Sequence, residues 1–356
     1  MPAGKLGKFL PGVFRNRRVL ITGHTGFKGS WLCHILKNFG ADVYGYSLEP
    51  PTDPNLFTIA ETEEGMHSET GDIRDYGKLQ SFVDEAKPEF VFHLAAQPLV
   101  LYGYEHPRET YETNVMGTVN ILECVRNTDS VISFLNVTTD KVYRNDETGG
   151  EFKETDPLDG YDPYSNSKSC SELVTHSYRN SFFGERCCIS TARAGNVIGG
   201  GDFSDNRIIP DCVRAALADA PVVMRNPGSV RPYQHVLESL AAYLMIAAEQ
   251  ESNPEKAGYY NVGPRKEDCV TTGELVEIFR RYWGGTKPPV FETGERHEAG
   301  YLKLNAGLIK EKLGFSPHWN VDTAVMKTVE WFKVWSSGGN VTECMDAQIR
   351  DYLESD

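Results

Sequence analysis

A glycine-rich turn follows the first apolar run of the sequence. Arg18-Val-Leu-Ile-Thr22 has the length and composition of a short buried strand, and a helical pattern follows the turn and continues to about Phe39. Glycines at such a junction let the backbone approach a pyrophosphate, whose charge the helix N-terminus favours. Tight turns use glycine for structural reasons as well. The position between the first strand and the first helix nevertheless predicts a dinucleotide site, formed by Gly23, His24, Thr25, Gly26, Phe27, Lys28 and Gly29.

Apolar strands alternate with helical patterns through the first half of the chain. The predicted strands are Arg18–Thr22, Asp42–Ser47, Phe90–Leu94, Val131–Val137 and Ile189–Arg193, and the predicted helices include Tyr76–Ala86, Thr110–Arg126 and Pro163–Phe182. This alternation indicates βαβ units and a parallel sheet buried on both faces. The predicted fold class is therefore α/β, a Rossmann doubly wound parallel sheet with a smaller C-terminal substrate-binding lobe.

The alternation loosens after residue 195, and this change predicts the domain boundaries. A helix at Val236–Glu249 and a strand at Gly258–Val262 are expected to return to the first domain. We therefore expect an NAD-binding Rossmann domain at 14–195, with 236–262 returning to it. Residues 196–235 and 263–356 are expected to form the substrate-binding lobe.

Composition narrows the possible partners. The formal net charge of −14 argues against a nucleic-acid partner, because an acidic chain repels a phosphate backbone. No apolar run reaches the roughly 18 residues of a membrane span, and the first 14 residues do not resemble a secretory signal. The eight cysteines form no C-x-x-C pair, and we expect reduced thiols in a cytoplasmic protein, although their even count also permits disulfides. The nine histidines show no ligand spacing, so no metal is expected.

A tyrosine and a lysine stand one turn apart at a predicted helix start. Asp162-Pro163 has the pattern of an N-cap followed by proline at the first helical position. Tyr164 and Lys168 then share one helix face. A phenol with a pKa of about 10 is a poor base at neutral pH, but a nearby ammonium and a positive nicotinamide would favour the phenolate. Such a pair also occurs by chance on solvated helices. Downstream of the glycine turn, it predicts hydride transfer to and from an alcohol.

Further cofactor contacts are expected where the other strands end. Gly71-Asp-Ile73 follows the third strand and Leu94-Ala-Ala-Gln97 follows a later one, although ordinary strand–loop packing also explains these segments. Glu49 stands slightly late for the adenosine ribose, and no arginine near it would bind a 2′-phosphate, so NAD is favoured over NADP. The expected contacts besides the turn are Asp72, Ile73, Leu94, Ala95, Ala96, Gln97, Asn114, Tyr164 and Lys168.

From Arg18 to about Trp335 the chain resembles the extended short-chain dehydrogenases/reductases, in the NAD-dependent epimerase/dehydratase family. The resemblance rests on the segments Gly23–Trp31, Val137-Thr-Thr-Asp-Lys-Val-Tyr143, Tyr161–Lys168, Ala192–Asp202, Val230–Val236 and His297–Leu304. In this superfamily, nucleotide-sugar 4,6-dehydratases carry a hydroxyl residue and an acid–base pair after the strand that faces the nicotinamide, where epimerases carry small residues. Asp140-Lys141 resembles the CDP-glucose branch of the dehydratases, whereas many others have Asp-Glu.

The resemblance implies a set of catalytic roles for Thr139, Asp140, Lys141, Tyr164 and Lys168. Tyr164 would take the proton of the sugar 4-hydroxyl, and Thr139 would hydrogen-bond the same oxygen. Asp140 would protonate the departing 6-hydroxyl. Lys141 would remove the C5 proton, for which it must be neutral; alternatively it only fixes the sugar or neutralises Asp140.

The resemblance also implies substrate contacts and an assembly. The expected substrate, a CDP-hexose, would contact Asn196, Arg207, Arg225, Arg231, His297 and Tyr301. Leu101, Gly300 and Asn305 depart from the family pattern near this pocket, which bears on the substrate more than on the reaction. The helices Thr110–Arg126 and Pro163–Phe182 correspond to a pair that forms a homodimer in related enzymes. The alternatives are another nucleotide-sugar dehydratase, an epimerase or a reductase, and an inactive NAD-sensing scaffold; intact Tyr164 and Lys168 argue against the scaffold.

Overall fold

A parallel β-sheet forms the centre of the structure, a computed structural model that describes residues 6–147, 149–184, 186–292 and 301–355. Seven strands pair in this sheet, and short two-stranded pairs lie outside it. The strands are β1 (Arg18–Thr22), β2 (Asp42–Ser47), β3 (His67–Thr70), β4 (Phe90–His93), β5 (Ser133–Thr139), β6 (Cys188–Ala194), β7 (Val197–Ile198), β8 (Val223–Met224), β9 (Val230–Arg231), β10 (Gln234–His235), β11 (Tyr259–Val262), β12 (Val270–Thr271) and β13 (Val290–Phe291).

The strand order of the sheet is β3-β2-β1-β4-β5-β6-β11, with every neighbouring pair parallel. The chain order reverses between β1 and β4, which end side by side at Thr22 and His93. In open parallel sheets, ligands bind at such a reversal, beyond the carboxyl ends of the strands. The predicted fold class is confirmed, and the sheet places the glycine turn at this point.

Helices cover both faces of the sheet. They are α1 (Leu6–Phe14), α2 (Phe27–Asn38), α3 (Leu56–Ile59), α4 (Tyr76–Ala86), α5 (Val100–Glu105), α6 (Pro107–Tyr111), α7 (Gly117–Arg126), α8 (Pro163–Tyr178), α9 (Ile208–Leu217), α10 (Val236–Ser252), α11 (Thr272–Trp283), α12 (Gly307–Leu313), α13 (Val321–Ser336) and α14 (Val341–Glu354). Side chains alternate along a strand, so Val19 and Ile21 pack in the cluster with α2 and α10, while Leu20 packs in the cluster with α4 and α7.

The second half of the chain joins the sheet at two places. Helix α10 lies on the sheet, where Ser133 Oγ donates to the Ala247 carbonyl at 3.0 Å and the Gln250 amide donates to the Phe134 carbonyl at 3.2 Å. Strand β11 pairs with β6 as the seventh strand. The apolar cluster on this face continues into α9, α11, α13 and α14, so one core joins the sheet to the C-terminal helices.

Some elements differ from the sequence prediction. The helix expected at Thr110–Arg126 is interrupted by a π-helical turn at Glu112–Met116, and α8 ends in a second such turn at Arg179–Phe183. Strand β5 runs two residues further than predicted and ends at Thr139. Helix α1 was not predicted. The eight cysteines, all among the described residues, are free, and no helix of the described part is long and apolar enough to cross a membrane.

Candidate active site

The glycine turn is shaped by close backbone contacts that exclude side chains. Gly23 has φ +78°, and a Cβ there would lie 2.8 Å from the Ala95 nitrogen. A Cβ on Gly29 would lie 2.2 Å from the Gly23 carbonyl oxygen. Helix α2 begins after Gly26 with no side-chain cap, so its first N–H groups are available to an anion. The turn therefore fits the diphosphate of a dinucleotide.

The side chains of His24 and Thr25 point into the protein and brace this turn. The buried His24 ring occupies the space that a Cβ on Gly45 would need, and its Nε2 lies 2.8 Å from the Ser68 hydroxyl. Burial lowers the pKa of His24 to about 4, so the ring is neutral. The Thr25 hydroxyl donates to the Leu48 carbonyl at 2.9 Å, at the end of β2. The side chains of both residues are buried, and the backbone groups of the turn face the start of α2.

Asn114 fixes the segment after β4. Its Oδ1 accepts from the Gln97 N–H at 2.8 Å, and its Nδ2 donates to the Gln97 carbonyl at 3.0 Å and to Ser167 Oγ at 2.8 Å. Asn114 is buried in the π-helical turn that follows α6. Leu94 continues the strand with a hydrogen bond to the Thr22 carbonyl at 3.0 Å. The predicted residues Leu94, Ala95, Ala96 and Gln97 thus lie between the glycine turn and α8.

Asp72 and Ile73, at the end of β3, have partners within the protein. The Asp72 carboxylate accepts from Arg74 Nη2 at 2.6 Å and from Arg74 Nε at 2.9 Å, and this guanidinium lowers the pKa of Asp72. Ile73 packs on Gly117, where a Cβ would meet its side chain at 2.7 Å. The sequence argument for NAD considered only the end of β2 and missed Arg74. Because Asp72 pairs with it, this arginine is not an isolated positive charge.

The end of β5 presents Thr139, Asp140 and Lys141. Thr139 is the last strand residue; its hydroxyl donates to Asp140 Oδ1 at 3.0 Å and accepts from the Lys141 N–H at 3.4 Å. Asp140 is 2 % exposed, and its Oδ2 has no hydrogen-bond partner among the described residues. Burial raises the pKa of Asp140, and the nearby Lys141 and Arg231 charges oppose that rise. Burial thus makes Asp140 a weaker acid than an exposed aspartic acid.

Helix α8 brings Tyr164 and Lys168 to the same place. Asp162 caps the helix by accepting from the Ser165 N–H at 3.0 Å, as the sequence predicted. Burial raises the pKa of Tyr164 to about 12, while a hydrogen bond with Thr139 and the charge of Arg207 lower it. Lys168 Nζ donates to the Val137 carbonyl at 3.2 Å. Burial lowers the pKa of Lys168 to about 8, and the negative charge of Glu172 opposes that fall.

Two more cations stand near this pair. Lys28 is half-buried; burial lowers its pKa to about 7, and the charges of Arg207 and Lys168 add to that effect. Arg207 Nη1 pairs with Asp202 Oδ2 at 3.1 Å. Positive groups therefore converge from the glycine turn, from α8 and from the start of α9. Such convergence favours an anionic ligand in the cleft.

The predicted substrate residues are only partly brought together. Arg231 is buried on β9, and its charge acts on Asp140. Tyr301 bridges to Val230 on the same strand, and Asn196 accepts from the Gln234 N–H at 3.0 Å through its main-chain carbonyl. Arg225 is exposed, and its positive charge acts on the Asp211 carboxyl of α9. His297 lies outside the described residues.

A buried ion pair behind α8 was missed by the sequence analysis. Glu172 and Arg193 are both buried, and Arg193 Nη2 lies 2.8 Å from Glu172 Oε2. The only signal in the sequence was the spacing of Glu172, one helical turn after Lys168. Arg193 carried no signal of its own, because it reads as a polar residue within strand β6.

Comparisons with known proteins identify the family of the chain. The family model described as GDP-mannose 4,6 dehydratase matches residues 20–328. The chain belongs to this family. The CDP-glucose 4,6-dehydratase of Salmonella typhimurium is 44 % identical over 351 residues, covering 96 % of this chain and 98 % of the relative. A probable dTDP-glucose 4,6-dehydratase of Sinorhizobium fredii is 28 % identical, covering 88 % of this chain and 92 % of the relative.

Solved structures share the fold. DesIV, a dTDP-glucose 4,6-dehydratase from Streptomyces venezuelae solved with NAD and TYD bound, is 23 % identical and superposes with a TM-score of 0.78, covering 90 % of this chain and 98 % of that one. An epimerase from Methanothermobacter thermautotrophicus is 21 % identical and superposes with a TM-score of 0.82, covering 95 % of this chain and 98 % of that one.

Replacing Gly29 by alanine should weaken NAD binding. The new Cβ would press on the Gly23 carbonyl, and overpacking of this kind costs about 1–3 kcal/mol. If that strain falls on the turn, affinity drops by about 5- to 150-fold. Calorimetric titration of the purified variant with NAD measures it. Gly77→Ala, on α4, where the nearest atom would be 3.7 Å away, is the matched control. Unchanged affinity in Gly29→Ala would show that the turn does not hold the cofactor.

Proposed function

We propose that the chain converts CDP-glucose to CDP-4-keto-6-deoxyglucose by internal hydride transfer through NAD and loss of water. It is a hydro-lyase, a nucleotide-sugar 4,6-dehydratase. The observation that carries the proposal is the buried Asp140 carboxyl, whose Oδ2 has no hydrogen-bond partner among the described residues and whose charge acts on Tyr164. An epimerase needs no such acid, because no hydroxyl group leaves. The relative from Salmonella typhimurium supports CDP-glucose as the substrate.

The reaction requires proton transfers at three atoms of the sugar. NAD held at the glycine turn would supply the hydride acceptor for C4 and the hydride donor for C6. Tyr164 takes the proton of the 4-hydroxyl, and the Thr139 hydroxyl forms a hydrogen bond with the same oxygen. The 4-ketone acidifies the C5 proton, which Lys141 removes. Asp140 then protonates the 6-hydroxyl, which leaves as water, and the Lys141 ammonium returns a proton to C5 as C6 receives the hydride.

The two parts of the chain divide the ligands. Residues 14–195 and 236–262 hold NAD, and residues 196–235 and 263–356 hold the nucleotide sugar. Arg207 and Arg231 bind the diphosphate, since their charges already act on Tyr164 and Asp140 respectively. The remaining contacts come from Asn196, Arg225, His297 and Tyr301. The free thiols and the NAD chemistry favour the cytoplasm as the location.

The direct test uses the holoenzyme and a panel of nucleotide hexoses. With CDP-glucose, mass spectrometry should show a product lighter by one water, while the absorbance of bulk reduced cofactor stays flat. Stoichiometric accumulation of reduced cofactor would identify a simple dehydrogenase. A product of unchanged mass would identify an epimerase. No turnover of any hexose would favour the NAD-sensing scaffold.

Substitutions of Asp140, Lys141 and Tyr164 should stop the reaction at different stages. Asp140→Asn removes the acid but permits the first oxidation, so enzyme-bound reduced cofactor should accumulate with substrate. Lys141→Met should also stall there and should abolish exchange of the C5 hydrogen with solvent deuterium. Tyr164→Phe should prevent reduction of the cofactor altogether. General acid–base groups contribute about 10²- to 10⁴-fold, so turnover should fall by that order.

Rapid-scan absorbance and deuterium incorporation separate these outcomes. If Lys141→Met keeps near-normal exchange and turnover, Lys141 only fixes the sugar, and another group is the C5 base. Reduction of the cofactor by Tyr164→Phe would remove the tyrosine from its proposed role.

A homodimer formed through α7 and α8 is the proposed assembly. Met116, Leu173 and Phe182 lie on or next to these helices, and each is at least half exposed. Several large apolar side chains exposed on neighbouring helices are typical of a surface that binds another protein chain. A two-fold interface would cover the same patch on both copies.

Light scattering at micromolar concentration should therefore give the mass of two chains. Leu173→Glu places two charges opposite each other in the interface and should yield monomers. The control Leu217→Glu changes a similarly exposed leucine on α9 and should leave the mass unchanged. A monomeric wild-type protein would contradict the proposal.

A further inference from the structure

The buried carboxylate of Glu172 makes contacts with three elements of the site. Its Oε1 accepts from the Thr138 hydroxyl at 2.5 Å, and its Oε2 accepts from the Thr191 hydroxyl and from Arg193 Nη2, each at 2.8 Å. His176 Nε2 lies 3.2 Å from the same Oε2. Both oxygens are thus satisfied by β5, β6 and α8, a full set of partners for a charge that would otherwise be costly to bury.

These contacts fix both flanks of the reactive segment. Thr138 directly precedes Thr139 on β5. On the other flank, Arg193 donates to the Tyr143 hydroxyl at 2.8 Å, and that hydroxyl donates to Asn261 Oδ1 at 2.6 Å. The Glu172 carboxylate thus holds Thr138, before residues 139–141, by a direct hydrogen bond. It holds Tyr143, after them, through Arg193.

Stability alone is a weak reason for this arrangement. A buried ion pair is often no more stabilising than well-packed apolar side chains of the same volume. Glu172 also stands one turn after Lys168 on the same helix, and its charge raises the pKa of that lysine against the effect of burial. The other charged or titratable groups around this lysine and glutamate are Tyr164 and His176 on α8, Lys28 on α2, His93 on β4, Arg193 on β6, and Tyr143 after the 140–142 turn.

We infer that Glu172 is a positioning residue: it holds the end of β5 against α8, and it places a buried negative charge one helical turn from Lys168, the partner of Tyr164. The expected effect of Glu172 on the rate of hydride transfer rests on the proposed function. The effect of the Glu172 charge on the titration of Lys168 can be measured without any ligand. Two substitutions separate the parts, because Thr138→Val removes a hydroxyl contact and keeps the charge, whereas Glu172→Gln removes the charge and keeps the shape.

The first experiment titrates Lys168 directly. NMR of protein carrying lysine labelled with ¹³C at Cε follows each ammonium with pH, and Lys168→Met and Lys28→Met assign the two buried signals. Loss of a nearby opposite charge should lower the Lys168 titration in Glu172→Gln by about one pH unit. Thr138→Val should leave it in place. Glu277→Gln, which breaks an exposed pair with Arg280 on α11, is the matched control.

The second experiment measures the first hydride transfer in a single turnover with CDP-glucose across pH. Because protonated Lys168 is required, the rate should fall on the alkaline side, and this fall should begin about one pH unit lower in Glu172→Gln. Thr138→Val should keep the wild-type alkaline limb. It should lower the plateau rate about tenfold, since small displacements of reacting groups cost that much, with KM for the nucleotide sugar unchanged.

The outcomes are distinguishable. If Lys168 titrates alike in Glu172→Gln and Glu277→Gln, the charge role is overturned; a normal plateau rate in Thr138→Val overturns the positional role. If Glu172→Gln does not fold because Arg193 is left unpaired, Glu172→Gln/Arg193→Met removes both charges of the pair. It should still lower the Lys168 titration, by less than the single substitution, because a neighbouring cation is lost as well. Failure of the wild-type protein to reduce NAD with any nucleotide hexose would defeat the proposed function, while the NMR titration would still decide the charge role.

Discussion

Strand β5 and helix α8 are joined by buried polar contacts at three consecutive strand residues. The Asn136 amide donates to Ser171 and Thr175, each at 2.9 Å, the Val137 carbonyl accepts from Lys168, and the Thr138 hydroxyl donates to Glu172. Apolar side chains would allow the helix to slide along the strand at small cost. Hydrogen bonds depend on distance and angle, so this series fixes one register. The distance between the groups at the end of β5 and those on α8 follows from that register.

Burial affects the two acidic groups of the site in the same direction, although the proposed chemistry needs them in opposite states. It raises the pKa of both Asp140 and Tyr164. For Asp140 this is useful, because a protonated carboxyl is the acid that the leaving hydroxyl requires. For Tyr164 it is a hindrance, since a base must lose its proton. Charge and hydrogen bonding must therefore act selectively on the phenol, through Thr139, Arg207 and the neighbouring ammonium, and the position of each cation matters more than their number.

Local patterns in the sequence were sufficient to predict the fold class and to locate the segments that carry family motifs. The glycine turn, the capped start of α8 and the apolar strands each depend on neighbours in the chain, which sequence spacing captures. The direction of a side chain in a tight turn depends instead on distant residues: the His24 ring points into the protein and fills the space beside Gly45 on the next strand. Pairings between distant segments were equally invisible. Glu172 and Arg193 are 21 residues apart, and neither residue type is typical of a core.

The acidic chain and its cationic cleft are compatible because charge acts over a short range in salt solution. At physiological ionic strength the screening length is about 8 Å. Most of the net charge of −14 is therefore screened from a ligand inside the cleft. Lys28, Lys168 and Arg207 lie within interaction distance of one another or of Tyr164, where less water intervenes. Their mutual repulsion is part of what lowers the pKa of Lys28, and an anionic ligand would relieve it. An anionic ligand such as the proposed diphosphate would offset the cost of holding these cations together, so the same groups favour a ligand of negative charge.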